Sequence, residues 1–253
     1  MRLDEILTVL RRLAPEETAL AGDPVGLLIG REAEEVPRIG VCLDCTPDVA
    51  RRAQEAEVGL VVAHHPLIYH PLKRLGADPV SRAVAALVRA DIALYAMHTN
   101  WDRAAGGIND TLAECLELSD VRPLGADGEA SLPRLGTLAS PRLLADFMRF
   151  VESALGCTGA SALRVNRADP ARMITRVAVC GGAGAGLAGA VLAAGAEAYV
   201  TSDVRHHEFW DAGARGLALL DAGHGATETP GMHALVRSLP VLLEGVEVVW
   251  VGG

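Results

Sequence analysis

Short hydrophobic segments alternate with amphipathic segments along the first half of the chain, and this alternation limits the fold more than any other feature. Residues 60–63 are apolar, residues 38–43 are apolar after Arg38, and both segments are short enough to be buried strands. Residues 46–48 (Thr-Pro-Asp) then provide a helix start signal, and residues 79–90 have the spacing of another helix. Strands that alternate with helices are typical of α/β folds.

The alternation continues in the second half, with strands expected near residues 174–180 and 197–201. Residues 119–134 are polar and rich in turn-forming residues, so we place a boundary there. We therefore predict an α/β fold with two similar lobes of mixed sheet flanked by helices. The first lobe comprises residues 1–125 and the second lobe comprises residues 126–253. The C-terminal segment could also pack back on the first lobe.

Composition and charge argue against several classes of function. The net charge is -9 and aromatic residues make up only 4% of the chain, which disfavours a nucleic-acid partner. The longest uncharged stretch, residues 177–196, holds six glycines and does not have the pattern of a membrane span. No signal-peptide core follows Met1, and an odd number of cysteines at irregular spacing favours a reducing compartment. We therefore expect a cytoplasmic protein.

Histidines and carboxylates collect just after the predicted strands. Asp102, Asp203 and Glu228 each lie within four residues of at least one such histidine. The carboxyl ends of strands line the functional crevice of α/β sheets, so these side chains are expected to converge. Imidazole with carboxylate suits Zn, Mn, Fe, Co or Ni, and predicts a divalent-metal site. The histidines in question are His64, His65, His98, His206, His207 and His224.

Adjacent histidines that leave a strand are expected to point to opposite sides, which favours two ions over one. Two weaker patterns compete with this interpretation. Residues 184–189 fit G-x-G-x-x-G after a strand, so they either bind a dinucleotide, cradle a substrate phosphate or form a tight turn. Cys42 and Cys45 have C-x-x-C spacing, but two buried strand-end thiols explain them better.

Four motifs carry a resemblance to a known family: AHHPLIYHPLK, MHTNWDRAAGGINDTLAE, TSDVRHHEFWDA and DAGHGATETPG. They stand in the order found in the Nif-three-like dinuclear metal proteins, many of which carry the label GTP cyclohydrolase I type 2 homolog. The resemblance starts at GDPVGLLIG and runs along the whole chain. The chain departs from the family pattern at two places. The family usually has a tryptophan and an asparagine around the aspartate where this chain has Gly22-Asp23-Pro24, and it usually has glycine at the position of Ser202. The resemblance implies that the metal ligands are His64, His65, Asp102, His224 and Glu228.

The resemblance also implies how these ligands are shared and how the protein is built. Glu228 would bridge both ions, with Asp102 and His65 on one ion and His64 and His224 on the other. The family implies two α/β lobes with the metals in the cleft between them, and commonly a homohexameric ring. Longer relatives carry an inserted middle domain, for which this chain has no room.

The first functional hypothesis is a metal-dependent hydrolase that acts on a nucleotide-like or phosphorylated small molecule by way of metal-activated water. His207, His98 and Asp203 are candidates for proton transfer or for orienting the ligands. The alternative is a regulatory or interaction protein whose two divalent ions have no catalytic role.

Overall fold

The computed structural model describes residues 1–30, 35–126, 128–157 and 162–252. The chain divides into two compact units, the first made of residues 1–105 with 232–253 and the second of residues 106–231. The expected division at residue 125 therefore falls inside the second unit. Two mixed sheets flanked by helices, one in each unit, confirm the predicted fold class.

The first unit is built on a sheet with strand order β1-β4-β3-β2-β11 in the described residues. Strands β11, β2, β3 and β4 run parallel, and β1 pairs antiparallel with β4. The C-terminal strand is thus the edge of the first sheet. Its elements are α1 (Leu3–Leu13), β1 (Gly26–Ile29), β2 (Arg38–Cys42), α2 (Pro47–Glu55), β3 (Leu60–Ala63), α3 (Pro79–Arg89), β4 (Ala93–Ala96), α4 (Thr99–Arg103) and β11 (Glu247–Trp250).

Local sequence explains the elements that support this sheet. Thr46 caps α2 by accepting a hydrogen bond from the Val49 amide, and Asp78 caps α3 in the same way through Ser81. Every residue of β3 and β4 is buried, as expected for central parallel strands covered by helices on both faces. The carboxyl ends of β3 and β4 therefore project from a fixed core.

The second unit contains a sheet with strand order β5-β6-β8-β9-β10-β7 in the part of the chain that is described. Strands β8, β9 and β10 are parallel, whereas β5, β6 and β7 add antiparallel pairings at the two edges. Its elements are α5 (Ile108–Cys115), β5 (Leu118–Pro123), β6 (Arg134–Leu143), α6 (Leu144–Leu155), β7 (Arg164–Val165), β8 (Met173–Val179), α7 (Ala188–Ala193), β9 (Ala198–Thr201), α8 (His206–Ala214), β10 (Ala218–Asp221) and α9 (His224–Leu242).

The boundary was placed at residues 119–134 because β5 resembles a linker in sequence. β5 is an edge strand, and all its residues after Leu118 are exposed, so it carries polar side chains. It nevertheless pairs antiparallel with β6, with Leu118 opposite Leu138, and so belongs to the second sheet. The division of the chain instead falls before α5 and, on the return, within α9. No helix among the described residues is long and apolar enough to cross a membrane.

The core of the second unit is expected to depend on Phe147 in α6, which is fully buried among Leu112, Val177 and Val200. Phe147→Ala should lower the free energy of unfolding by about 3–5 kcal/mol, because it removes an aromatic ring and leaves a cavity. Urea unfolding followed by circular dichroism measures the change. Phe150→Ala on the same helix is the matched control, since Phe150 is only partly buried. Equal losses in the two variants would contradict this picture of the core.

Candidate metal centre

His64 and His65 follow β3 directly and are positioned by the sheet. The ladder continues one step beyond the strand, because the His64 amide donates to the Cys42 carbonyl at 3.1 Å and the His65 amide to the Leu43 carbonyl at 3.0 Å. The two rings do not diverge to opposite sides, as the sequence analysis expected. Their centroids are 4.9 Å apart, because the strand ends at Ala63 and the chain bends there.

His98 and Asp102 reach the same place from the neighbouring strand. His98 follows β4, and its ring centroid lies 5.2 Å from that of His64 and 5.7 Å from that of His65. One ring nitrogen of each of the three histidines lies within 4.8 Å of the others, a spacing that could hold a metal ion. Asp102 in α4 is buried, with its Oδ1 atom 3.6 Å from His64 Nε2. Four predicted site residues are therefore brought together in the first unit.

Each of these imidazoles is held through its Nδ1 atom. His64 Nδ1 lies 2.8 Å from the carbonyl oxygen of Met97, a group that can only accept, so Nδ1 carries the hydrogen. His65 Nδ1 is 2.8 Å from Asp44 Oδ1, and His98 Nδ1 is 2.8 Å from Asp23 Oδ1. In the neutral tautomer that these contacts favour, Nε2 carries the lone pair. This is the arrangement of metal-binding histidines in proteins.

Asp23 is suited to its role as an ionised acceptor. Burial would raise the pKa of this carboxyl, but hydrogen bonds from His98 and from Thr99 outweigh that effect and hold the pKa below its ordinary value. The Thr99 contacts come from both the amide and the hydroxyl group. Asp23 therefore stays charged near neutral pH and keeps the His98 ring oriented.

The second unit holds the pair His224 and Glu228, at the start of α9. His224 Nε2 lies 3.2 Å from Glu228 Oε1, and its Nδ1 lies 2.6 Å from Asp203 Oδ2. Residues four apart on a helix share a face, which explains why the two side chains meet. The Glu228 side chain is almost fully buried. Asp203 is thus the outer partner of His224, as Asp44 and Asp23 are for His65 and His98.

The position of Glu228 within α9 follows from where this helix begins. The helix begins at His224, so Glu228 lies in its second turn. The Thr227 hydroxyl donates towards the His224 carbonyl at 2.8 Å and accepts from the Gly182 amide at 3.0 Å. Its role is to bind the neighbouring glycine loop to the helix.

The glycine loop after β8 packs against Glu228. A Cβ atom on Gly182, whose φ is +65°, would lie 2.3 Å from Glu228 Oε1, and one on Gly181 would lie 3.3 Å from Glu228 Cγ. The amides of Gly181 and Gly184 donate to Asn109 Oδ1 and Thr201 Oγ1. These amides and that of Gly182 are engaged within the protein, which disfavours a phosphate cradle at this point. The glycines allow the loop to approach a carboxylate closely.

The remaining predicted histidines lie elsewhere in the second unit. His206 and His207 form the first turn of α8 and are exposed. His207 has no hydrogen bond or ion pair to another described residue, so it is not part of the His224 pair. Sequence reasoning missed Asp44 and Asp23 as site residues. Asp44 had a usable signal, since it follows β2 just as His64 follows β3, whereas Asp23 lies 75 positions from His98.

A small cavity of about 250 Å³ adjoins His65. Its walls combine the His65–Asp44 pair with the apolar residues Pro66, Leu67 and Val80. A pocket that joins apolar walls to a potential metal ligand is the usual form of a small-molecule site.

A model of the family described as Duf34/NIF3 (NGG1p interacting factor 3) matches residues 1–251 of the chain. The chain belongs to this family. The match confirms the resemblance that the four histidine-containing motifs indicated.

Relatives and solved structures of the Duf34/NIF3 family agree with this assignment. A protein of Streptomyces coelicolor named GTP cyclohydrolase 1 type 2 homolog is 38% identical, over 90% of this chain and 82% of its own. One of the same name from Nostoc sp. is 39% identical, over 81% and 78%. A Bacillus cereus protein related to NIF3 shares the fold, with a TM-score of 0.91 at 22% identity over 99% and 96% of the two chains. Reduced HcgD from Methanocaldococcus jannaschii gives 0.85 at 26% identity, over 99% and 98%.

The contacts of His224 predict its behaviour in metal-free protein. The hydrogen bond to Glu228 raises the pKa of His224 from its usual 6.5 to about 9, against the lowering effect of burial, and Asp203 adds to the rise. The stabilisation from this charged contact should be complete below pH 6.5 and be lost as the pH rises through about 9. NMR titration of the His224 ring measures the pKa directly. It should fall in Glu228→Gln, and an unchanged value would contradict the assigned contact.

Proposed function

We propose that this protein binds two divalent transition-metal ions and uses them to hydrolyse a nucleotide-like or phosphorylated small molecule. One observation carries the proposal. Four histidines, His64, His65, His98 and His224, each have Nδ1 hydrogen-bonded to a carbonyl or carboxylate oxygen. Metal-binding histidines almost always donate their other ring N–H group to a carboxylate, carbonyl or water, which fixes the ring and its tautomer.

We propose His64, His65, Asp102, His224 and Glu228 as the ligands, with Glu228 bridging the two ions. The donor set fits, because neutral imidazole and carboxylate suit divalent ions such as Zn, Mn, Fe, Co or Ni and no thiolate is required. A carboxylate has two oxygens and can contact both ions at once, which a neutral imidazole cannot do. When bound, the ions would supply Lewis acidity and activate water for hydrolysis.

The protein's own groups have separate tasks in this proposal. Asp44 and Asp203 hold the rings of His65 and His224 and keep the ligand nitrogen basic. His98 lies within the ligand-capable group of the first unit, so we add it as a possible further ligand as well as a proton carrier. His207 is exposed on α8, and we keep it with Asp203 as a candidate for proton transfer.

The substrate class rests on two supports. Several relatives that match most of the chain are named GTP cyclohydrolase 1 type 2 homolog, and this name supports a nucleotide-like substrate. The cavity beside His65 offers apolar walls for part of a small molecule next to a proposed ligand. We further propose a cytoplasmic protein, because an odd number of cysteines at irregular spacing favours a reducing compartment. We also propose a homohexamer, which only the family resemblance supports.

The proposal predicts two ions per chain after reconstitution, measured by elemental analysis. Glu228→Gln keeps the size of the side chain but removes its charge. The variant should therefore fold normally and bind at least one ion about tenfold or more weakly, which is the loss of metal affinity expected for substitutions at a metal site. Circular dichroism verifies the fold. One ion or none in the wild-type protein, or unaltered metal affinity in the variant, would reject the dinuclear centre.

Turnover separates the hydrolase from the regulatory alternative. The metal-loaded protein is incubated with a panel of nucleotides and phosphoesters, with His65→Ala as the control for contaminating activity. Product formed only by the wild-type protein supports the hydrolase. Two bound ions without turnover on any member of the panel would favour a protein that uses its metal site for regulation or interaction.

The glycine loop provides a second test of the role of Glu228. Gly182→Ala would place a methyl group 2.3 Å from Glu228 Oε1 in a left-handed backbone conformation, so the carboxylate must move. We expect metal affinity to fall by about tenfold or more. Gly186→Ala is the matched control, because a Cβ atom there meets no atom within 4 Å. Equal metal affinity in the two variants would show that the position of Glu228 is unimportant for binding.

A further inference from the structure

We propose that the second unit carries a separate binding site for a nucleoside phosphate, in a cavity between α8 and the segment that follows β7. The cavity has a volume of about 650 Å³ and is lined by Asn166, Arg167, His206, Phe209, Trp210 and Gly213, among others. This size lies within the usual range of small-molecule pockets. None of the proposed metal ligands lines it, so the inference does not rest on the proposed function.

The floor of the cavity is rigid. Asn166 is buried, and its side-chain amide donates to the Leu217 carbonyl at 2.8 Å, while its backbone amide donates to Leu219 at 3.2 Å. These bonds fasten the segment after β7 to the strand beside it. A Cβ atom on Gly213 would lie 3.3 Å from Asn166 Nδ2, so glycine lets α8 lie close to this floor. The site therefore exists before any ligand binds.

Two neighbouring aromatic side chains of α8 supply a surface for a flat ring. Phe209 is partly buried, and the guanidinium carbon of Arg164 lies 5.2 Å from its ring centroid. Trp210 is 74% exposed, which is unusual for the largest apolar side chain in a chain with few aromatic residues. An exposed indole beside a cavity is a feature of ligand-binding surfaces, because its face stacks on rings with little loss of side-chain entropy.

An arginine and a histidine at the rim offer hydrogen-bond donors to an anion. Arg167 and His206 are exposed and have no ion pair with any other described residue. The nearby arginine Arg164, by contrast, is engaged by Asp221 and by the Val204 carbonyl. The acidic residues of α8 are also engaged, Glu208 by Arg205 and Asp211 by Arg215.

A pocket lined by an arginine that has no ion pair with another described residue stands out in a chain with a net charge of -9. The combination selects a ligand with two parts. The stacking surface of Trp210 and Phe209 suits a flat heterocycle, and Arg167 with His206 suits a phosphate group next to it. A nucleoside phosphate has both parts and fits the volume. A phosphate alone would leave the aromatic surface uncovered, and a neutral ring would leave Arg167 unused.

Equilibrium dialysis of the full-length protein with adenosine 5′-monophosphate, adenosine and inorganic phosphate tests the site. The Glu228→Gln variant, stripped of metal, serves as the background, so that binding at the proposed metal centre does not contribute. We expect one nucleotide per chain. Trp210→Ala should weaken both the nucleotide and the nucleoside by about tenfold, the size of one stacking contact. Arg167→Ala should weaken the nucleotide by about as much and leave adenosine unchanged.

Matched controls are Arg149→Ala, which removes an exposed arginine of α6, and Tyr69→Ala, which removes an exposed aromatic residue of the first unit. Both should bind the nucleotide as the parent does. Equal affinity in the parent, Trp210→Ala and Arg167→Ala would overturn the site. Absence of nucleotide binding together with an oligomer that dissociates in Trp210→Ala would also overturn it, and would assign the indole to contact with a second copy of the chain.

Discussion

The candidate centre depends on hydrogen bonds at Nδ1 that fix the orientation of the imidazole rings. His64 is fully buried, and a buried imidazole needs a partner for its N–H group. The partner is the Met97 carbonyl, one residue beyond β4. The parallel register of β3 and β4, with Ala63 opposite Ala96, brings that carbonyl to His64. The geometry of the histidine therefore follows from strand pairing in the core, and the same pairing places His98 beside it.

Much of this arrangement could be predicted from sequence, because it follows from local patterns. Fully apolar runs such as residues 60–63 indicate central strands, and histidines directly after them must lie at the carboxyl edge of the sheet. The convergence of His64, His65, His98 and Asp102 needs only that reasoning. The four-residue spacing of His224 and Glu228 was visible in the sequence too, and the helix that begins at His224 places both side chains on one face.

What could not be predicted depends on contacts between distant parts of the chain. Asp23 stands in a turn-rich segment, and nothing in its neighbourhood indicates that it accepts a hydrogen bond from His98. The sequence of the edge strand β5 does not reveal that it is a strand, because an exposed polar strand and a polar linker have similar compositions. Its pairing with β6 depends on contacts that cannot be recognised from the residues of β5 alone. The limits of the two units were misplaced for this reason.

The departure from the family pattern at Ser202 can be understood from the backbone. Ser202 stands where the family usually has glycine, yet the left-handed conformation at this turn belongs to the next residue, Asp203, with φ at +55°. Aspartate tolerates this conformation better than most residues do. Asp203 also accepts a hydrogen bond from His224 Nδ1. The unfavourable backbone conformation at Asp203 therefore places its carboxylate against a proposed metal ligand. A side chain at position 202 therefore leaves the turn intact. Position 203 is the one at which few residues could replace aspartate.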